Sequence, residues 1–158
     1  MAQKQILVTG ASRGIGRAIA ERFLSEGHKV LGTFNTGAAE AQDLLAANPN
    51  LEMKQVDFAD RQDTLRFVSE LQGRIFDVLV NNAGMIEFED FDTFDMSIWD
   101  RTFEVNLNTP LVLCTQLAGS LSPKAAIVNV ASNDGLIGSF SSMPLFHSRQ
   151  TTIGEHAP

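Results

Sequence analysis

The sequence predicts an α/β fold of three layers, a doubly wound parallel sheet with helices on both faces. Three observations carry that expectation. Short apolar runs alternate with amphipathic segments through the first 130 residues, the pattern of βαβ units whose strands are buried on both faces. The 158 residues, 44% hydrophobic and 20% charged, suffice for one domain with its own core. Gly10, Gly14 and Gly16 lie between the first apolar run and the first amphipathic one, where a strand must turn sharply into a helix.

Each element follows from its local pattern. Ile6-Leu7-Val8 reads as the first buried strand. A helix begins near Gly14, with Ile15, Ala18, Ile19 and Phe23 at the spacing of one inner face, and Gly27 ends it. The run 29–34 is the second strand, 37–47 a helix closed by Asn48-Pro49, and 51–56 the third strand. Asp60 is placed to cap a helix running to about Gln72, with Leu65, Val68 and Leu71 inward. Val78 to Asn81 is the fourth strand; Ser97 is expected to cap a long helix through Leu117, kinked at Pro110. The fifth strand is 126–130, apolar on both faces. The expected strand order is 3-2-1-4-5, with a ligand at the C-terminal edge of the strands. Residues 1–142 form the expected domain, and 143–158 an irregular tail rich in turn formers.

Bulk composition excludes several functions. Twelve Lys and Arg against nineteen Asp and Glu give a net charge of −7, which argues against nucleic acid or an anionic membrane as partner. Cys114 is the only cysteine, so no internal disulfide is expected and nothing points to an oxidising compartment. The apolar run after Met1-Ala2-Gln3-Lys4-Gln5 is too short for a signal peptide or membrane span, so a cytoplasmic location is expected. The sequence contains no tyrosine.

The stretch Thr9-Gly10-Ala11-Ser12-Arg13-Gly14-Ile15-Gly16 suits a dinucleotide pyrophosphate. Such a group needs backbone N–H donors and a helix N-terminus behind them, and glycines let the phosphate and the strand approach closely. The spacing is G-x-x-x-G-x-G, and a glycine-rich turn without ligand is the competing interpretation. The motif resembles the cofactor loop of the short-chain dehydrogenases/reductases. Asn81-Asn82-Ala83-Gly84, Val105-Asn106-Leu107 and 127–132 (Ile-Val-Asn-Val-Ala-Ser) resemble three further motifs of that family, in the right order over residues 4–142. The loop and the Gly32-Thr33 strand ending are most similar to the ketoacyl-carrier-protein-reductase-like branch.

The resemblance implies a Rossmann-type fold and hydride transfer between a nicotinamide cofactor and a small carbonyl or alcohol. NADP is favoured over NAD. An NAD site places an acid at the end of the second strand, whereas Gly32-Thr33-Phe34-Asn35-Thr36 carries none before Glu40, and Arg13 can reach a 2′-phosphate. The resemblance assigns cofactor contacts to Gly10, Ser12, Arg13, Gly14, Ile15, Gly16, Asn35, Asp57, Phe58, Asn82, Ala83 and Gly84. From the residues alone, Asp57-Phe58 is equally a turn Asp with a core Phe, and Arg13 a solvent-facing side chain.

The family's catalytic group is Tyr, Lys, Ser and Asn. Ser132 matches the Ser and Asn106 the Asn; otherwise they are a strand-end hydroxyl and a polar helix residue. Aligning on Ser132 puts Leu145 at the Tyr position, Ser148 before the Lys position and Arg149 at it. Phe146 has no hydroxyl, Arg149 holds its proton near neutral pH, and His147 is the remaining candidate donor. Impaired catalysis is therefore expected, the alternative being a non-catalytic nucleotide-binding module or inactive fragment. The family's further helix, two strands and substrate-covering loop are not matched, so the expected sheet is truncated after the fifth strand, as a frameshifted or shortened product would be. That strand becomes an exposed edge and favours self-association as a homo-oligomer. Residues 87–95 alternate carboxylates with Phe88, Phe91 and Phe94 without His or Cys; a solvated loop, not a metal site, is expected, with a substrate contact implied by the resemblance. Trp99 is expected to pack on the long helix.

Overall fold

A computed structural model describes residues 2–87 and 95–132. Five parallel strands, β1 (Gln5–Val8), β2 (Lys29–Phe34), β3 (Leu51–Gln55), β4 (Phe76–Asn81) and β5 (Leu121–Asn129), form one sheet in the order β3-β2-β1-β4-β5, as expected. The chain moves outward from β1 to β3 and then returns to β4 on the other side of β1. The crevice between β1 and β4 is the switch point at which such sheets bind ligands.

Alternation along the strands divides the core into two layers. Ile6 and Val8 on β1, with Val78 and Val80 on β4, pack against α1 (Gly14–Ser25) and α2 (Ala38–Ala47) through Ala20, Leu44 and Ile19. Leu7, Leu31 and Leu79 face the opposite way, toward Phe67 and Val68 of α3 (Arg61–Glu70) and Leu113 of α5 (Thr109–Gln116). Ile6, Leu7 and Val8 are completely buried, which is why this strand is apolar without a break.

The helix starts are partly as expected. Asp60 caps α3, its carboxylate accepting from the Gln62 backbone N–H at 2.8 Å. Ser97 does not cap the next helix, α4 (Met96–Phe103). Asp95 does so, accepting from the Ser97 backbone N–H and hydroxyl, each at 2.8 Å; a carboxylate also suits the positive helix end. The expected long helix is divided by a π-helical turn at Glu104–Asn108 ahead of α5. Pro110 has no N–H, so the Asn106 carbonyl four residues earlier loses its helical donor, and the wider turn accommodates the gap.

Three residues expected on inner faces, Ile15, Ala18 and Leu65, lie outside the core, Ala18 being exposed on α1. Ile15 is 64% exposed and Leu65 40%; Thr64 and Phe67 face inward from α3 instead. A two-turn periodicity cannot distinguish adjacent positions on the rim of a helix face. β5 begins at Leu121, five residues earlier than its apolar run suggests. Between the pairs Phe76–Leu121 and Val78–Ala126, β4 advances two residues and β5 five. Pro123 sits in that irregular stretch, as a residue unable to donate to the ladder must. Among the described residues β5 is an outer strand.

Candidate functional site

The C-terminal ends of β1, β2 and β4 meet around a cleft of about 510 Å³. Its construction starts at Thr9. The Thr9 hydroxyl oxygen accepts from the backbone N–H groups of Asn82 and Ala83, each at 2.9 Å. The Asn82 amide donates back to the carbonyls of Thr9 at 2.9 Å and Gly10 at 3.1 Å. These four bonds join the glycine loop to the end of β4. On the other side the Gly10 N–H donates to the Thr33 hydroxyl at 3.2 Å, and the Ala11 N–H to the Thr33 carbonyl at 2.7 Å.

Two glycines serve different needs. Gly14 has φ +57° with open space around it, so its requirement is conformational. At Gly16 a Cβ would collide with the Gly10 carbonyl oxygen and the Asn82 amide, so its requirement is close approach. Arg13 occupies the N-cap of α1 without a side-chain capping bond, and the first turn contains no acid. The positive end of a twelve-residue helix is thus directed at the loop without a carboxylate to neutralise it.

Of the residues predicted to bind a cofactor, Gly10, Ser12, Arg13, Asn35, Asp57, Phe58, Asn82, Ala83 and Gly84 line this cleft. Ile15, Gly16 and Ser132 line an adjoining space of about 340 Å³, with Met85, Ile86 and Val130. Gly14 lines neither and acts through the backbone turn. Ile15, 64% exposed, thus borders this space. The Arg13 guanidinium donates to the Thr36 hydroxyl at 3.4 Å, beside the end of β2, where no carboxylate stands between Thr33 and Thr36. Asp57 accepts from the Asn35 amide and the Ala59 N–H, each at 3.0 Å. Its own N–H donates to Asp63 at 2.7 Å. That bond, reinforced by Arg66, holds the Asp63 carboxyl below the usual carboxylate range.

Asn106 is fully buried and lines neither space. Its side chain accepts from the Met85 N–H at 2.8 Å and donates to the Met85 carbonyl at 2.9 Å, fixing the strip of backbone that forms the cleft wall. The interpretation of Asn106 as a solvent-facing polar residue is thus excluded. Thr9 and Thr33 entered the sequence reading only as parts of motifs, and Thr36 and Met85 were given no role. Paired threonines at the ends of adjacent strands were the available signal; Met85, acting through its backbone, gave none. Leu145, Phe146, His147, Ser148 and Arg149 lie outside the described residues, as do residues 88–94 and the tail 143–158. Among the described residues no group of three or more His, Cys, Asp or Glu could hold a metal, and no helix is long and apolar enough to cross a membrane.

A family model described as short chain dehydrogenase matches residues 4–144. The chain belongs to this family. A short-chain dehydrogenase/reductase of a Cladobotryum species, FrzI, is 38% identical over 136 residues, which cover 82% of this chain and 52% of that protein. A 3-oxoacyl-acyl-carrier-protein reductase of Vibrio harveyi is 37% identical over 141 residues, 85% of this chain and 57% of that one. The chain thus spans little more than half the length of these short-chain dehydrogenase relatives. Among solved structures, BdcA in complex with NADPH superposes with a TM-score of 0.86 at 26% identity, over 94% of this chain and 60% of that one. A short chain dehydrogenase of Burkholderia cenocepacia in complex with NADP gives a TM-score of 0.86 at 31% identity, over 96% and 64%.

Proposed function

We propose that the cleft binds NADP(H) in preference to NAD(H), and that the chain supplies the cofactor-binding part of an oxidoreductase acting on a small carbonyl or alcohol. The observation that carries this reading is the Arg13 guanidinium beside Thr36 at the end of β2, with no carboxylate on Thr33–Thr36 to repel a 2′-phosphate. A ribose-binding acid there would favour NAD instead. The cradle fits the cofactor by its shape: a Cβ on Gly16 would fill it, and the start of α1 presents uncapped N–H groups to a pyrophosphate. NADPH and NADP in the two structural neighbours support the same choice.

When bound, the cofactor supplies the hydride. The chain's own residues bind and orient. Gly10, Ser12, Arg13, Gly14, Ile15 and Gly16 receive the phosphates and the 2′-phosphate; Asn35, Asp57 and Phe58 form the adenine side. Asn82, Ala83 and Gly84 border the adenosine-side ribose, Ser132 faces the space for the substrate oxygen, and Asn106 acts through Met85. Without a tyrosine among the 158 residues, turnover is impaired, since a positioned general acid contributes roughly 10²–10⁴-fold. That same absence favours a second reading, a nucleotide-binding module without catalysis. A lone cysteine supports a reducing, cytoplasmic setting, and the exposed β5 supports self-association.

Titrating NADPH and NADH separately into the purified chain, read by nucleotide fluorescence and thermal shift, tests the reading. NADPH is expected to bind at least about tenfold more tightly, with Arg13→Ala removing most of the difference. No binding of either nucleotide, or equal binding, overturns it. Carbonyl reduction at ordinary family rates would overturn the impairment.

A further inference from the structure

The helical bar made of α4, the π-helical turn and α5 touches both walls of the cleft. Thr109 donates from its hydroxyl to the Phe58 carbonyl at 3.3 Å, and Asn106 grips Met85 on both its N–H and its carbonyl. Between these contacts lies an ion pair with no part in the cofactor cradle. Arg61 opens α3, directly after the loop that carries Asp57 and Phe58. Its guanidinium engages the Glu104 carboxylate through Nε and, at 2.8 Å, through Nη2. Glu104 opens the π-helical turn and accepts a further bond from the Asn108 amide at 2.9 Å.

The chemistry of the pair differs from that of the other surface bridges. A bidentate guanidinium–carboxylate contact fixes a plane and a direction, which one-point contacts such as Lys54 to Glu70 do not. Glu104 is largely buried while Arg61 is half exposed. A π-helical turn is a rare local widening of a helix, frequent at functional sites, and this one carries Asn106.

We propose that the Arg61–Glu104 pair is a positioning device that sets the π-helical turn against the Asp57–Ala59 loop, and through Asn106 keeps the Met85 wall in place for the nicotinamide half of the cofactor. The proposal rests on the NADP reading of the cleft. It divides the site into two supports. The adenine-side loop is also held by Asn35, Asp63 and Thr109; the wall strip is also held by Arg101, which donates to both Glu87 carboxylate oxygens at 3.1 and 3.3 Å, but the Met85 backbone itself is gripped by Asn106 on the turn that Glu104 anchors. Losing the pair therefore affects one half of the ligand more than the other.

The experiment compares NADPH with adenosine 2′,5′-bisphosphate, which has no nicotinamide half, on the purified chain and on Arg61→Met, Arg61→Lys, Glu104→Gln and the exchange Arg61→Glu with Glu104→Arg. Arg61→Met and Glu104→Gln are expected to weaken NADPH about tenfold while the bisphosphate changes less than about twofold. Arg61→Lys, which keeps the charge and loses the fork, should fall between; the exchange should recover to within about threefold. Equal weakening of both ligands, unchanged NADPH binding, or no recovery in the exchange overturns the proposal. If the unsubstituted chain binds neither ligand, the NADP reading falls and this proposal with it; if it binds both and the ratios do not move, only this proposal falls. Because Glu104→Gln keeps the side chain's shape, it retains a folded test even if Arg61→Met does not fold.

Discussion

The two sides of the sheet are built to different standards. β1 has a neighbouring strand on each side and helices on both faces, and Ile6, Leu7 and Val8 are wholly buried. β5 pairs only with β4 among the described residues, through an irregular stretch, and Ile127 and Val128 are 44% and 46% exposed although they point to opposite faces. The glycine loop grows from the first of these strands and Ser132 from the end of the second. A pyrophosphate cradle needs backbone placed to within a fraction of an ångström, and it stands on the rigid side. The residue expected to orient a substrate stands on the side that is thinly supported among the described residues. Cofactor binding should therefore be the robust property of this chain, and chemistry the fragile one.

The largest effects should come from the seam between β1 and β4. Thr9→Val keeps the shape of the side chain but leaves the N–H groups of Asn82 and Ala83 without their acceptor. At about 1–3 kcal/mol for each of the two orphaned donors, a loss of about 2–6 kcal/mol is expected in urea unfolding, with NADPH binding abolished at micromolar nucleotide. A loss below about 1 kcal/mol would show that the loop does not depend on this hydroxyl and would weaken the contrast between the two sides. Gly16→Ala comes next. Its Cβ has no room beside the Gly10 carbonyl, and overpacking of that kind costs about 1–3 kcal/mol. Gly14→Ala meets no atom and carries only the left-handed backbone penalty, about 1–2 kcal/mol. Paired melts and NADPH titrations should show Gly16→Ala losing more affinity per unit of stability lost.

These same positions explain what could be read in advance. Strand order, the glycine loop and the Asp60 cap were legible because each rests on local chemistry: unbroken apolar strands, φ freedom, a carboxylate one position before a helix. The π-helical turn was not, since the sequence shows only that Pro110 lacks a donor and leaves open how the helix accommodates it. Ile15 was assigned to the core by periodicity and to the cofactor by motif; its exposure overturns the first placement, and it borders the space that Ser132 also lines. Asn106 was legible as a motif, while its work, a two-point grip on the Met85 backbone, depends on a contact 21 residues away in sequence. Thr9 lay within the recognised loop, yet its hydroxyl's role is set by β4, 73 residues on.

Acid should separate the cleft end of the strands from their far end. The Asp63 carboxyl is held below its ordinary value by the Asp57 N–H and then by Arg66, and Asp77 by the Gln5 N–H and then the Ser122 hydroxyl. A depressed carboxyl stabilises the fold fully above its unfolded value, about 3.9, and loses that contribution as pH falls through the folded value. Asp63→Asn should flatten the fall in Tm below pH 4 and weaken NADPH through the Asp57 loop. Asp77→Asn should flatten the same fall but leave NADPH binding unchanged, because its bonds reach β1 and β5 at the far end of the strands. Equal loss of NADPH affinity in both variants would show that the cleft is not insulated from the far end of the strands.

The smallest effects should lie on β5 itself. Ile127→Lys and Val128→Lys replace side chains that are already nearly half exposed, and substitutions at such positions usually stay within about 0.5 kcal/mol. A lysine on an outer strand also discourages edge-to-edge pairing, so any self-association through β5 should fall in sedimentation or light-scattering measurements while the melt hardly moves. The opposite result would be the more instructive one. A stability loss above about 1 kcal/mol from either lysine would mean that β5 is as integral to the core as β1, and that Ser132 stands on a support as firm as the glycine loop's. The weak chemistry expected of this chain would then have to come from its missing tyrosine alone, and not from a site carried on an exposed edge.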